Sequence, residues 1–355
     1  MCTRNPLHCI IPPYITERLA QSDDPQVRSQ AIANLKADAG YRATRESAQA
    51  IATLLATLSP GQTRHRLVYT ANDSGQLPGD LARAEGQGPS GDAAVDEAYD
   101  GAGITYDFYD QLFQRNSLDG KGMALISTVH MKKFDFRTKT YVPLDNAFWN
   151  GTQMAYGDGA GLWSQRFTRS LDVIGHELTH GVQTFTSNLT YYGQSGALNE
   201  HFSDVFGVLV RQWHLNEPAS SASWLIGADV LIPAPTRRGI RDMEFPGTAF
   251  ANDPYLGDDP QPDHMSKLVT GSGDNGGVHY NSGIPNRAFV LVAKALGGNA
   301  WDVAGRIWYE TLLQLNAHSQ FQDCAEISVQ IAGARYGAQA KKAVKAAWKK
   351  VGISL

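Results

Sequence analysis

The chain has 355 residues, 42% of them apolar and 19% charged, and a formal net charge of −4. That length suits two domains and a short extension, the composition is that of an ordinary globular protein, and the negative balance argues against a nucleic-acid surface. No apolar run approaches a membrane span, and Cys2, Cys9 and Cys324 lie too far apart to form a metal or redox cluster.

Residues 1 to about 50 read as a separate unit. Ile10-Ile11-Pro12-Pro13-Tyr14 is expected to be extended, because proline fixes its own φ and restricts its predecessor. From Ile15 to about Leu35 the apolar spacing predicts one helix. The N-terminus lacks the long apolar core of a secretory signal, which predicts a cytoplasmic protein or export by a non-classical route. A linker with Ser59-Pro60-Gly61 follows.

Arg66 to Ala71 alternates and is predicted as a strand. Asp92 caps a helix that runs to about Arg115. Leu125–His130 and Tyr141–Pro143 are further strands, and Asn146–Asn150 reads as an edge strand. Such an edge offers unpaired backbone groups to which an extended peptide can add.

Asp172-Val173-Ile174-Gly175-His176-Glu177-Leu178-Thr179-His180-Gly181 contains His-Glu-x-x-His. Four residues make slightly more than one helical turn, so His176 and His180 share a face and can bind one zinc ion. Glu177 stands at the edge of that face, where a carboxylate could take a proton from water. The plain alternative is a buried helix with two hydrogen-bonded histidines. Downstream, Leu198, Phe202, Val205, Phe206 and Leu209 mark a second helix, on which Glu200 and Asp204 share a face. Glu200 would complete a His, His, Glu set with one position open, as catalytic zinc sites have. Asp204 could accept the second N–H of a ligand histidine.

Helices are also expected over 285–297, 300–316, 320–335 and 337–350. Before them lies an irregular stretch, 233–283, that carries Arg241, Asp274 and His279. Taken alone, His279 is an ordinary loop histidine, and nothing decides between Tyr191 and Tyr192.

These motifs resemble those of the thermolysin family of zinc metalloproteases. The resemblance includes Asn146-Ala147-Phe148-Trp149-Asn150-Gly151, Tyr156-Gly157-Asp158-Gly159 and Asp274-Asn275-Gly276-Gly277-Val278-His279-Tyr280-Asn281-Ser282-Gly283, and runs from about Arg66 to the C-terminus. It implies an α+β fold of two domains, mainly β (51–190) and mainly α (191–355), with the zinc helix between them. It implies an endopeptidase that uses Zn(2+) and acts on polypeptides, preferring bulky apolar residues after the scissile bond. His279 and Tyr191 would then donate to the oxyanion, Asp274 would orient His279, Asn146, Ala147 and Arg241 would bind substrate backbone, and Val173 would line the specificity pocket. Residues 1–50 resemble the short Pro-Pro-Tyr propeptides of the protealysin-like branch, which implies an intramolecular inhibitor. The family also slightly favours secretion. Cys9 or His8 could in principle reach the metal, although a cysteine near a terminus is more simply incidental.

One departure concerns calcium. Asp172 matches an acid of the family's double calcium site, but Arg211 stands where another acid belongs, so the double site is read as lost. Arg211 is expected to bond Asp172 in its place. The competing functions are a catalytically inactive zinc-dependent peptide binder, against which Glu177, Tyr191 and His279 together argue, and a hydrolase of small molecules, against which the edge strand argues.

Overall fold

The computed structural model of the chain describes residues 8–35, 63–135 and 138–355. The expected boundary near residue 50 and most of the linker lie outside these residues. The first described strand, β1, is His8–Cys9. Helix α1 is Pro13–Leu19, with proline in its first turn, where the missing N–H goes unused. The extended stretch thus ends at Pro12, and Tyr14 is already helical. The single helix expected to Leu35 is two, because residues 25–35 form a separate helix, α2. Asp24 opens α2, its Oδ1 accepting from the Gln26 and Val27 amides at 2.8 and 3.3 Å. An Asp-Pro pair at a helix start is a strong signal that the apolar spacing overrode.

Strands β2 (Arg66–Thr70) and β3 (Asp80–Ala84) precede α3 (Ala93–Phe113). Asp92 caps α3 as expected, accepting from Ala94 and Val95. Then come β4 (Leu125–Asp135), β5 (Thr140–Pro143), β6 (Ala147–Trp149) and β7 (Met154–Gly157). Strands β3 and β7 were not foreseen as strands. The mixed sheet runs β1-β6-β7-β4-β2-β3, with β5 beside β4. β6 would be an edge strand, and β1 covers that edge antiparallel, pairing Cys9 with Phe148 and His8 with Trp149.

The second half is built on α4 (Leu171–Thr184) and α5 (Gly193–Leu215). Every residue of α4 from Asp172 to Gln183 is buried, so this helix is the wedge between sheet and helical domain. Two glycines let the helices touch. A β-carbon at Gly175 would lie 3.1 Å from the Gly207 Cα, and one at Gly207 would lie 2.4 Å from the Asp172 carbonyl oxygen. Strands β8 (Leu225–Ile226) and β9 (Arg241–Asp242) form a small ribbon in the irregular region. Its end, α6 (Asp274–Asn281), carries positive φ at Asp274, Asn275, Gly276 and Gly277. Helices α7 (Gly283–Leu296), α8 (Val303–Gln314) and α9 (Phe321–Lys350) complete the domain. Gly337, at φ 87°, breaks α9 where two helices were expected. Among the described residues no helix is long and apolar enough to cross a membrane.

Candidate active site

Helix α4 carries His176 and His180 on one face, and the glycine contact brings Glu200 of α5 to meet them. Ligand atoms of the three residues all lie within 4.8 Å of one another, and all three side chains are buried. Each histidine has its Nδ1 held from behind: His176 by Asp204 Oδ1 at 2.9 Å, His180 by Asn199 Oδ1 at 2.7 Å. The Nε2 atoms therefore face each other, 3.1 Å apart. Glu200 Oε2 and Glu177 Oε1 are buried without a hydrogen-bond partner. The unpaired Glu200 oxygen and the two convergent imidazole nitrogens are the donor set of a dry cation site, and zinc fits it.

Glu177 sits beside this set. Its Oε2 accepts from the Trp149 amide of β6 at 3.0 Å. Burial first, and then the Glu200 carboxylate, push its pKa well above the usual carboxylate range. Asp204 behaves oppositely. Burial raises its pKa, but Arg241 and His176 outweigh that and hold it well below normal. Arg241 grips Asp204 with two bonds, of 2.9 and 2.7 Å, and Asn286 adds a third at 2.9 Å.

Asp274 receives both the His279 amide (2.8 Å) and its Nδ1 (2.7 Å), which aims Nε2 inward. Burial lowers the His279 pKa, but Glu200 and Asp274 more than reverse this, to about 9. The positive-φ turn at 274–277 is what folds Asp274 back over His279. Tyr191 is buried and donates to Glu200 Oε1, with its hydroxyl 3.1 Å from His279 Nε2, whereas Tyr192 is 58% exposed. The choice between the two tyrosines thus falls on burial.

Strand β1 leads the chain into the same place. The Ile10 amide donates to the Ala147 carbonyl at 3.2 Å, and the Ile11 amide donates to Asn146 Oδ1 at 3.1 Å. Arg241 Nη1 donates to the Ile10 carbonyl at 2.9 Å, and His279 Nε2 lies 3.2 Å from the Cys9 carbonyl oxygen. Val173 and Ile10 are fully buried in one apolar cluster. Cys9 packs elsewhere, with Phe148, Ala155 and Met131, its Sγ 3.6 Å from the Ile11 carbonyl oxygen.

Of the residues expected at the site, His176, Glu177, His180, Tyr191, Glu200, Asp204, Arg241, Asp274 and His279 gather here, Asn146 and Ala147 meet the segment that enters it, and Val173 is buried in the core one turn before His176. Asn199, Ser203 and Asn286 were missed. Ser203 lies 3.0 Å from His180 Nδ1. Asn199 and Ser203 are four apart, each one position before an acid of the Glu200/Asp204 pair, and that spacing was a usable signal. Asn286 comes from another helix and left none.

The bond expected between Arg211 and Asp172 is not formed. Asp172 is held by neutral donors, Ser170 Oγ and the Val173 and Gly227 amides, the last two at 2.8 and 3.0 Å. Arg211 instead faces Glu217 at 3.6 Å and acts on Asp172 only through its field. Neutral hydrogen bonds suffice for a carboxyl whose pKa burial has raised.

Comparisons with known proteins agree with this geometry. The thermolysin metallopeptidase catalytic-domain family model matches residues 36–184, and the thermolysin metallopeptidase alpha-helical-domain model matches residues 187–353. An extracellular metalloprotease of Pectobacterium carotovorum subsp. carotovorum is 44% identical, over 99% of this chain and 97% of its own length. Protease PrtS of a Photorhabdus strain is 48% identical over 82% of this chain and 77% of its own length. The solved precursor of protealysin, a metalloproteinase from Serratia proteamaculans, superposes with a TM-score of 0.86 at 44% identity, covering 98% of this chain and 100% of that one. With these matches spanning nearly the whole chain and meeting at one buried His, His, Glu site, the protein belongs to the thermolysin metallopeptidase family.

Proposed function

We propose that this zinc metalloendopeptidase is folded as a self-inhibited precursor, with the segment that begins at β1 as its inhibitor. The observation that carries the reading is the row of backbone groups from Cys9 to Ile11. They occupy His279, Ala147, Arg241 and Asn146, the groups expected to hold a substrate.

His176, His180 and Glu200 would hold the zinc, which when bound supplies Lewis acidity toward the scissile carbonyl and the attacking water. Glu177 takes the proton of that water and passes it to the leaving nitrogen. His279 and Tyr191 donate to the developing oxyanion, and Asp274 keeps His279 aimed. Arg241 holds the carbonyl one residue beyond the bond. Asp204 ties that arginine to His176, so substrate grip and ligand orientation share one carboxylate. Val173 supports a preference for bulky apolar residues after the scissile bond.

The neutral partners of Asp172 support loss of the double calcium site. A relative named as extracellular supports secretion. Incubating the precursor and its processed form with casein, with and without a zinc chelator, tests the function. Chelator-sensitive hydrolysis that rises when the N-terminal segment leaves is expected. Binding of casein without hydrolysis would favour an inactive peptide binder.

A further inference from the structure

The segment that blocks the site lies in it as a substrate would. Three consecutive residues engage the four holding groups in chain order, alongside β6. The Cys9 carbonyl is on His279, the Ile10 amide on Ala147, the Ile10 carbonyl on Arg241 and the Ile11 amide on Asn146. His279 Nε2 is itself 3.6 Å from Glu200 Oε2, so the Cys9 carbonyl borders the ligand cluster. The Ile10 amide also faces Glu177, whose carboxylate it stabilises, while Glu177 Oε1 remains unpaired. The group presented to the ligand cluster is thus a peptide carbonyl, with its own nitrogen next to the acid that would protonate it. The Cys9 thiol, by contrast, is packed among Phe148, Ala155 and Met131.

We propose that the Cys9–Ile10 peptide bond is seated as a scissile bond and is cut by the chain's own active site. The inference rests on the zinc-peptidase reading above. Water adds its oxygen to the Cys9 carbonyl carbon, the bond to the Ile10 nitrogen breaks, and Glu177 carries a proton to that nitrogen. The products are a carboxyl group on Cys9 and an amine on Ile10, with no oxidant or reductant required. The cut does not free the cleft. Ile10 and Ile11 keep Arg241 and Asn146, and Asn34 of α2 holds Asp145, donating to its Oδ2 at 3.0 Å. The nicked chain is a product complex, so the cut shows in mass rather than in turnover.

The test uses the full-length chain, purified without metal and then loaded with zinc. Mass spectrometry of wild type should show loss of residues 1–9 and a new N-terminus at Ile10, while Glu177→Gln stays intact at that bond. A second readout needs no metal. Cys9 in the metal-free chain should react with an alkylating reagent at least about tenfold slower than in Ile10→Asp, which places a charge in a buried apolar site and undocks the strand. Casein hydrolysis with an intact Cys9–Ile10 bond would overturn the proposal and leave the peptidase reading standing. Failure of the full-length chain to cut this bond, while its processed form hydrolyses casein, would overturn the proposal alone, and failure of the zinc-loaded processed form to hydrolyse casein would overturn both. Equal Cys9 reactivity in wild type and Ile10→Asp would overturn the seating itself.

Discussion

Gly207 packs on the backbone of Asp172 so closely that a β-carbon there would also stand 2.9 Å from the His176 amide nitrogen. Glu200 lies on the same helix as Gly207, two turns earlier. The helix contact therefore sets the distance between the third ligand and the histidine pair. Gly207→Ala must push α5 away from α4. We expect a stability loss of about 1–3 kcal/mol in urea unfolding, typical of overpacking, together with weaker zinc binding in a chelator competition.

On the proposed mechanism Glu177 is a proton carrier and not a ligand. Glu177→Ala should retain one zinc per chain by metal analysis and lose about 10²–10⁴-fold in peptide turnover, the usual contribution of a general base. A variant with near-normal turnover would show that the proton goes elsewhere.

Asn199 and Asp204 fix the two ligand imidazoles from behind. Asn199→Ala and Asp204→Ala should each lower zinc affinity by roughly 10–100-fold. Asp204→Ala should also strand the buried Arg241 and destabilise the fold by about 3–5 kcal/mol. Asn199→Ala has no such charge to strand, so the ratio of metal loss to stability loss separates the two in a combined zinc and thermal titration.

His130 of β4 carries φ +57° and bridges Asp158 at 2.8 Å and Asp92 at 2.9 Å. The hydrogen bond that its Nδ1 donates to Asp158 is the main reason its pKa rises from 6.5 to about 9, with burial opposing and Asp92 assisting. A histidine pKa raised by folding stabilises fully below the unfolded value near 6.5, and that stability is lost as pH rises through about 9. The melting temperature of wild type should fall across this window relative to His130→Asn, a residue that tolerates positive φ. Parallel melting curves for the two proteins from pH 6 to 10 would contradict the bridge.

Asp172 and Arg211 should respond very differently. Arg211→Ala removes a pair that is partly exposed, and should change stability by about 0–1 kcal/mol. Asp172→Ala leaves the Ser170 hydroxyl and the Gly227 amide without their buried acceptor, and should lose about 1–3 kcal/mol. Differential scanning calorimetry of both variants decides between them.

Residues that act through helical spacing were legible in the sequence. His176, Glu177, His180, Glu200 and Asp204 follow from a period of 3.6 and from ligand chemistry. His279, Tyr191 and Arg241 became legible only through the family's motifs, because a loop brings them in and no periodicity marks a loop. The split between α1 and α2 was lost because apolar spacing continues across the Asp24-Pro25 start. Strand β3 was lost because it is short and its buried residue is the charged Arg83, so it lacks the apolar alternation that marks a strand. Arg211 was misassigned because likeness of position said nothing of the Gly227 amide, which reaches Asp172 from a distant loop.

The pairing of β1 with β6 also sets how the proposed inhibition should depend on dilution. While the segment is joined to the chain, its backbone competes for the cleft at an effective concentration on the order of millimolar, whatever the protein concentration. Once the connection between α2 and β2 is severed, the same backbone competes only at its real concentration. A cleaved sample kept concentrated should therefore stay quiet and gain activity on dilution, whereas an uncleaved one should be indifferent to dilution.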